Sequence, residues 1–142
     1  MSDASRHVAD GLFEIVEGGP RLIGSRCTGC GTLYFPQAPG CRNPDCDVMT
    51  IERMHLPDRG TIVSFTVQRY RPPPLFRMDD WVPYAIALID LGEGVEVMGM
   101  LSGVQLDAIR IGAAVKLVSE SLFTDEDGRA VLTFKFAPVA AL

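Results

Sequence analysis

Four cysteines, Cys27, Cys30, Cys41 and Cys46, fall within one 20-residue window, and the chain has no others. The spacing is C-x2-C, ten residues, then C-x4-C. Four thiolates complete the tetrahedral shell of a zinc ion, and a closed shell leaves no position for substrate. Cys27-Thr28-Gly29-Cys30-Gly31 reads as a zinc knuckle, its glycines allowing the turn that aims two sulfurs at one point. Cys41-Arg42-Asn43-Pro44-Asp45-Cys46 is a longer loop, with Asn-Pro and Asp favouring a turn. Two disulfides are an alternative, but they belong to oxidising compartments. A C-x-x-C redox site, which usually opens a helix in a βαβ context, or an iron site is another. The expectation is a structural Zn²⁺ held by Cys27, Cys30, Cys41 and Cys46, folding its module and doing no chemistry.

The chain's 142 residues suffice for one domain with a small appended module. At 47% hydrophobic and 22% charged the composition is globular, which excludes a disordered chain. Apolar runs are far shorter than the roughly 18 residues of a membrane span. The polar start MSDASRHVADG lacks a signal peptide's apolar core, so the expected location is the cytoplasm. A net charge of −5 counts against non-specific nucleic-acid binding, which neutralises phosphates with Lys and Arg.

Residues 1–7 read as a frayed polar tail. Val8, Leu12, Ile15 and Val16 have helical spacing, weakened by Gly11, and Gly18-Gly19-Pro20 ends that helix. Short strands at 21–26 and 33–35 flank the first knuckle. From Gly60 onward the pattern turns to strands. Val63, Phe65 and Val67 alternate with Ser64, Thr66 and Gln68. Further strands are expected at 81–91, 95–101, 113–122 and 130–137, with one helical turn at 106–110 and a hairpin at 124–129. Five strands with a helical connection between the third and fourth fit an OB-fold barrel. The expected fold is mainly β: an N-terminal tail and helix (1–20), a rubredoxin-like zinc ribbon (21–56) and a five-stranded OB-fold (57–142).

Candidate catalytic groups are sparse. His7 falls in the tail; His55 precedes the barrel, with no serine or uncommitted cysteine placed to pair with it. There is no G-x-S-x-G, P-loop or dinucleotide fingerprint. Asp125, Glu126 and Asp127 lack EF-hand spacing and read as a solvated turn. No catalytic residue is expected. The stretch 71–84 combines three successive prolines with Arg71, Phe76, Arg77, Met78, Trp81 and Tyr84. Stiff loops lower the ordering cost of binding, and aromatic, Met and Arg side chains are enriched at interface cores. The competing reading is that Trp81 and Tyr84 cap the barrel end while the prolines shape the crossing.

Several segments together resemble a known family. They are Arg21-Leu22, CTGCGTLYFP through Pro36, the second cysteine pair, GTIVSFTV from Gly60, VPYAIALIDLGEGV from Val82, Ile111-Gly112-Ala113-Ala114-Val115 and Phe134-Lys135-Phe136. The family comprises bacterial and archaeal proteins with an N-terminal helix, a rubredoxin-like zinc ribbon and an OB-fold, formerly a domain of unknown function. Its members usually have a shorter second cysteine spacing. The resemblance implies a small accessory subunit of thiolase-fold enzymes acting on acyl-CoA thioesters: thiolases of aromatic-compound breakdown such as benzylsuccinyl-CoA degradation, aldolases of sterol side-chain degradation, or acetyltransferases. The large partner would carry the catalytic groups and the complex would bind the coenzyme A thioester, with two plus two subunits the arrangement the family implies. On that reading Arg71, Phe76, Arg77, Trp81 and Tyr84 are candidates for the partner or acyl-CoA contact, and Arg69 is a further candidate for CoA phosphates. The alternatives are a stand-alone acyl-CoA-binding protein and a nucleic-acid-binding OB module, for which Arg69 and Tyr70 would be the exposed contacts.

Overall fold

The computed structural model describes residues 5–9, 11–47, 50–72, 82–92 and 94–139. Ten strands run through them: β1 (Ser5–His7), β2 (Phe13–Val16), β3 (Gly19–Cys27), β4 (Leu33–Tyr34), β5 (Ile51–His55), β6 (Arg59–Gln68), β7 (Tyr84–Asp90), β8 (Glu96–Leu101), β9 (Ala114–Thr124) and β10 (Ala130–Pro138). One 3₁₀ turn, Leu106–Ala108, lies between β8 and β9, as the sequence pattern predicts.

Strands β6 to β10 close into a barrel. Antiparallel pairs link β6 to β7, β7 to β8 and β9 to β10. A short parallel pairing, Lys135 with Met100 and Phe136 with Leu101, joins β10 to β8. Closure comes from β6 against β9, Arg59–Thr61 opposite Ala114–Lys116. A closed sheet has no free edge to template aggregation. Along β7 burial alternates, although its sequence is apolar on both faces: Ala85, Ala87 and Ile89 are buried while Tyr84, Ile86 and Leu88 are half-buried. The alternation expected along 61–69 is not realised as burial: Val63 and Phe65 are exposed and Ile62 is the buried residue of β6. Phe134 and Phe136 fill the interior, their rings edge-on with centroids 6.3 Å apart.

The second sheet is built on β3. Strand β2 flanks its first half and β5 its second, with β4 opposite Ser25 and Arg26. Its buried face meets the barrel directly: Phe13, Leu22 and Leu56 belong to the same core as Ile62, Ile89, Val97, Val115 and Phe136. Phe35 and Phe13 both set their rings edge-on to Phe134, at 5.8 and 6.1 Å.

The N-terminal helix expected over residues 8–17 is not formed, and the described residues contain no α-helix. Phe-Glu-Ile-Val makes strand β2 instead, with Phe13 buried and Ile15 exposed. Gly11 has φ +82°, in the left-handed region, and Gly19 has φ +116°. The Val16–Gly19 pairing across Glu17-Gly18 makes this segment a hairpin. Pairing with β3, Phe13 opposite Leu22 through Val16 opposite Gly19, together with three turn glycines outweighs four apolar residues at helical spacing. The frayed tail is also corrected. Residues 5–7 pair in parallel with Ala130–Leu132 of β10, and the His7 ring stacks on Phe13 at 4.1 Å.

Candidate metal centre

The four cysteines converge. Their sulfur atoms all lie within 4.8 Å of one another. Cys27 and Cys46 sulfurs are 3.5 Å apart, and Cys30 and Cys41 sulfurs 3.6 Å apart. Four sulfurs around zinc at about 2.3 Å stand roughly 3.8 Å from each other, so the set fits a tetrahedral thiolate site.

Local chain chemistry produces the convergence. Cys27 ends β3, and the chain reverses at once: the Gly31 N–H donates to the Cys27 carbonyl and the Cys27 N–H to the Thr32 carbonyl. Gly31 turns the corner at φ +78°. The second loop is held by its own side chain. Asn43 Oδ1 accepts the Asp45 N–H, and the Asn43 carbonyl accepts that of Cys46. These local bonds let a four-residue spacer place both sulfurs on one point. At the base of the ribbon, buried Ser25 accepts the Ala38 N–H and ties the intervening loop to β3.

Donors surround the sulfurs. The Gly29 N–H points at Cys27 Sγ and the Asn43 N–H at Cys41 Sγ, both at 3.4 Å. The Tyr34 hydroxyl lies 3.4 Å from Cys41 Sγ while it accepts the Arg42 N–H at 2.7 Å. The Arg42 guanidinium sits 5.7 Å from the Tyr34 ring centre. The Thr32 hydroxyl beside Cys30, 3.0 Å away, holds that thiol down at about 6, against an ordinary value of 9.0. The Cys30 backbone N–H lowers Cys27 in the same sense. Conversely, the Cys41 sulfur beside its hydroxyl raises Tyr34. A pocket that favours thiolates is what a divalent soft-metal site requires. Thr32 and Tyr34 were not singled out in the sequence; their only signal was position, two and four residues beyond Cys30.

The other candidates are scattered. Arg71 is exposed, and Tyr84 starts β7 half-buried, with burial raising its phenol. Phe76, Arg77 and Trp81 lie outside the described residues. Arg69 and Tyr70 are exposed at the end of β6. His55 ends β5, where its ring nitrogen and the Arg53 guanidinium share the Glu14 carboxylate, an exposed link across β3 to β2. These two partners, His55 first, lower Glu14. Asp125 organises the β9–β10 hairpin. It accepts the Asp127 and Arg129 N–H groups and pairs with Arg6 at 2.8 Å, and the Arg6 bond holds its carboxyl below the usual range.

A closed β-barrel joined through one core to a four-cysteine ribbon defines a zinc-ribbon/OB-fold protein. The chain belongs to that family: residues 20–49 match the ChsH2 rubredoxin-like zinc ribbon domain and residues 54–120 the ChsH2 C-terminal OB-fold domain. A DUF35 domain-containing scaffold protein of Pyrococcus furiosus is 35% identical over 120 residues, 84% of each chain. The benzoylsuccinyl-CoA thiolase subunit BbsA of Thauera aromatica is 28% identical over 84% of this chain and 78% of its own. Among solved structures, a chain of the Ltp2-ChsH2(DUF35) aldolase matches with a TM-score of 0.65 and 31% identity, covering 84% of this chain and 86% of that one. No helix among the described residues is long and apolar enough to cross a membrane.

Proposed function

We propose that this protein is a non-catalytic accessory subunit of a thiolase-fold complex acting on acyl-CoA thioesters, in carbon–carbon cleavage or acyl transfer. The observation that carries the reading is the likeness, over 84% of this chain, to a benzoylsuccinyl-CoA thiolase subunit and to a chain of an Ltp2-ChsH2 aldolase. The scarcity of catalytic groups supports it: the cysteines are gathered in one cluster, and His55 is engaged with a carboxylate on the ribbon's outer face. On this reading the partner supplies the nucleophile. The ribbon, residues 21–56, holds a structural zinc ion through Cys27, Cys30, Cys41 and Cys46. The barrel, residues 57–142, carries the stretch from Arg71 to Tyr84, with Phe76, Arg77 and Trp81, toward the partner or its acyl-CoA entrance. Zinc supplies no bond-making step there; it holds two turns together. The complex binds the coenzyme A thioester.

The test is affinity purification of the tagged chain from its native host, with co-eluting chains identified by mass spectrometry. A stoichiometric thiolase-like subunit is expected, and Phe76→Ala with Trp81→Ala should weaken the complex at full zinc content. A folded, zinc-loaded chain that elutes alone defeats the subunit reading. Saturable acyl-CoA binding by that isolated chain would then make it a stand-alone carrier.

A further inference from the structure

The four sulfurs are not equivalent. Cys27 and Cys41 are buried, at 0% and 4% exposure, and Cys46 is half-buried. Cys30 alone of the four is exposed, on the outer side of the first turn. Its sulfur faces Cys41 at 3.6 Å, while Cys27 faces Cys46 at 3.5 Å. These two close approaches each bridge the two loops, one with an exposed member, within a cluster whose four sulfurs all lie within 4.8 Å of one another.

We propose that Cys30 is an oxidation site through which a hydroperoxide opens the metal centre, with Cys41 as its resolving partner. Attack on a peroxide requires the sulfur, the reacting oxygen and the leaving oxygen in line, which only an exposed thiolate can reach. The Cys30 sulfur takes the distal peroxide oxygen; the S–O bond forms, the O–O bond breaks, and alkoxide or hydroxide leaves. Cys41 then attacks the Cys30 sulfur; the S–S bond forms, the S–O bond breaks, and hydroxide leaves. Two electrons pass from two thiolates to one peroxide, and two of the four metal donors are consumed.

The consequences stay local. The Thr32 contact to Cys30 and the Tyr34 contact to Cys41 are the bonds that must rearrange. The Cys27 and Cys46 sulfurs remain reduced but form only half a site. The ribbon thus becomes a peroxide-sensitive clasp at the end of β3.

The inference rests on zinc occupancy, so the experiment begins with the zinc content of the purified full chain. A chain that takes up no zinc overturns both the zinc assignment and this proposal. Zinc-loaded protein is treated with less than one equivalent of hydrogen peroxide and alkylated, and its peptides are mapped, while released zinc is followed with a chromogenic chelator. The first disulfide should join Cys30 to Cys41, appearing together with zinc. Cys30→Ser, which keeps three thiolates, should release zinc about tenfold more slowly. A first disulfide that lacks Cys30, or that joins it to Cys27, overturns the proposal while leaving the zinc assignment intact. So does an unchanged release rate in a zinc-loaded Cys30→Ser protein. Should that variant fail to load, the wild-type disulfide map decides alone.

Discussion

Tyr34 shows how much a single hydroxyl carries at this site. It accepts the Arg42 N–H at 2.7 Å and stands 3.4 Å from Cys41 Sγ, where its own proton can be donated. It therefore links β4 to the second cysteine loop and offsets thiolate charge. Groups that orient metal ligands in this way typically change affinity by about 10–100-fold when removed. Tyr34→Phe keeps the ring and its contact with Arg42 but loses both hydrogen bonds. The expected result is zinc affinity about tenfold weaker and a shifted thiolate-to-metal absorption band in the cobalt-substituted protein, with the fold intact. Competition titration against a chelator measures the first and visible spectroscopy the second. The cysteines were legible because ligand spacing is written along the chain. Tyr34 was not, because its role depends on a hairpin returning it past Cys41.

At the scale of elements, strand crossings set the strictest demands. Gly60, in β6, sits where the strand passes the end of β7, and a Cβ there would collide with the Asp90 carbonyl oxygen and come within 2.8 Å of Ile89. The obstacle is backbone on a paired strand, since Thr61 is in register with Asp90, so neither side can yield cheaply. Gly60→Ala is expected to cost about 1–3 kcal/mol of unfolding free energy. Gly40→Ala meets nothing within 4 Å and should stay within about 0.5 kcal/mol. Urea unfolding of the two variants beside the parent checks the contrast. The barrel strands were readable because β6 and β7 are β-branched and apolar runs of seven or more residues bounded by glycine and proline, but the buried face of β6 was not: Val63 and Phe65 alternate in sequence yet are exposed. Residues 8–17 were misread because a four-residue strand is too short to display its period. Strand β1 was missed for a related reason: three residues, Ser-Arg-His, have no pattern of their own and become a strand by pairing with β10.

Across the whole molecule, the ribbon and barrel are not beads on a linker. Leu22 and Leu56, one on β3 and one just after β5, are buried at 0% and 2% exposure within the barrel's own core. The Leu56 N–H donates to the Leu22 carbonyl, so the joint is hydrogen-bonded as well as packed. The metal site lies at the other end of β3, beyond Cys27, with β5 paired along the same stretch from Cys27 to Ile23. Small zinc fingers draw about 10–16 kcal/mol from their metal and unfold without it. Here the sheet that carries the cysteines has a second anchor, and the barrel closes without it. Chelation should therefore release the two cysteine turns and leave β6–β10 folded. Hydrogen exchange on the chelated chain should rise steeply in residues 28–47 and little in β7 and β10, and limited proteolysis should cut first within 28–47. Simultaneous loss of protection in β7, deep in the barrel, would instead mean that the zinc site holds the entire core in place. Ribbon and barrel would then be one cooperative unit, despite having separate family models.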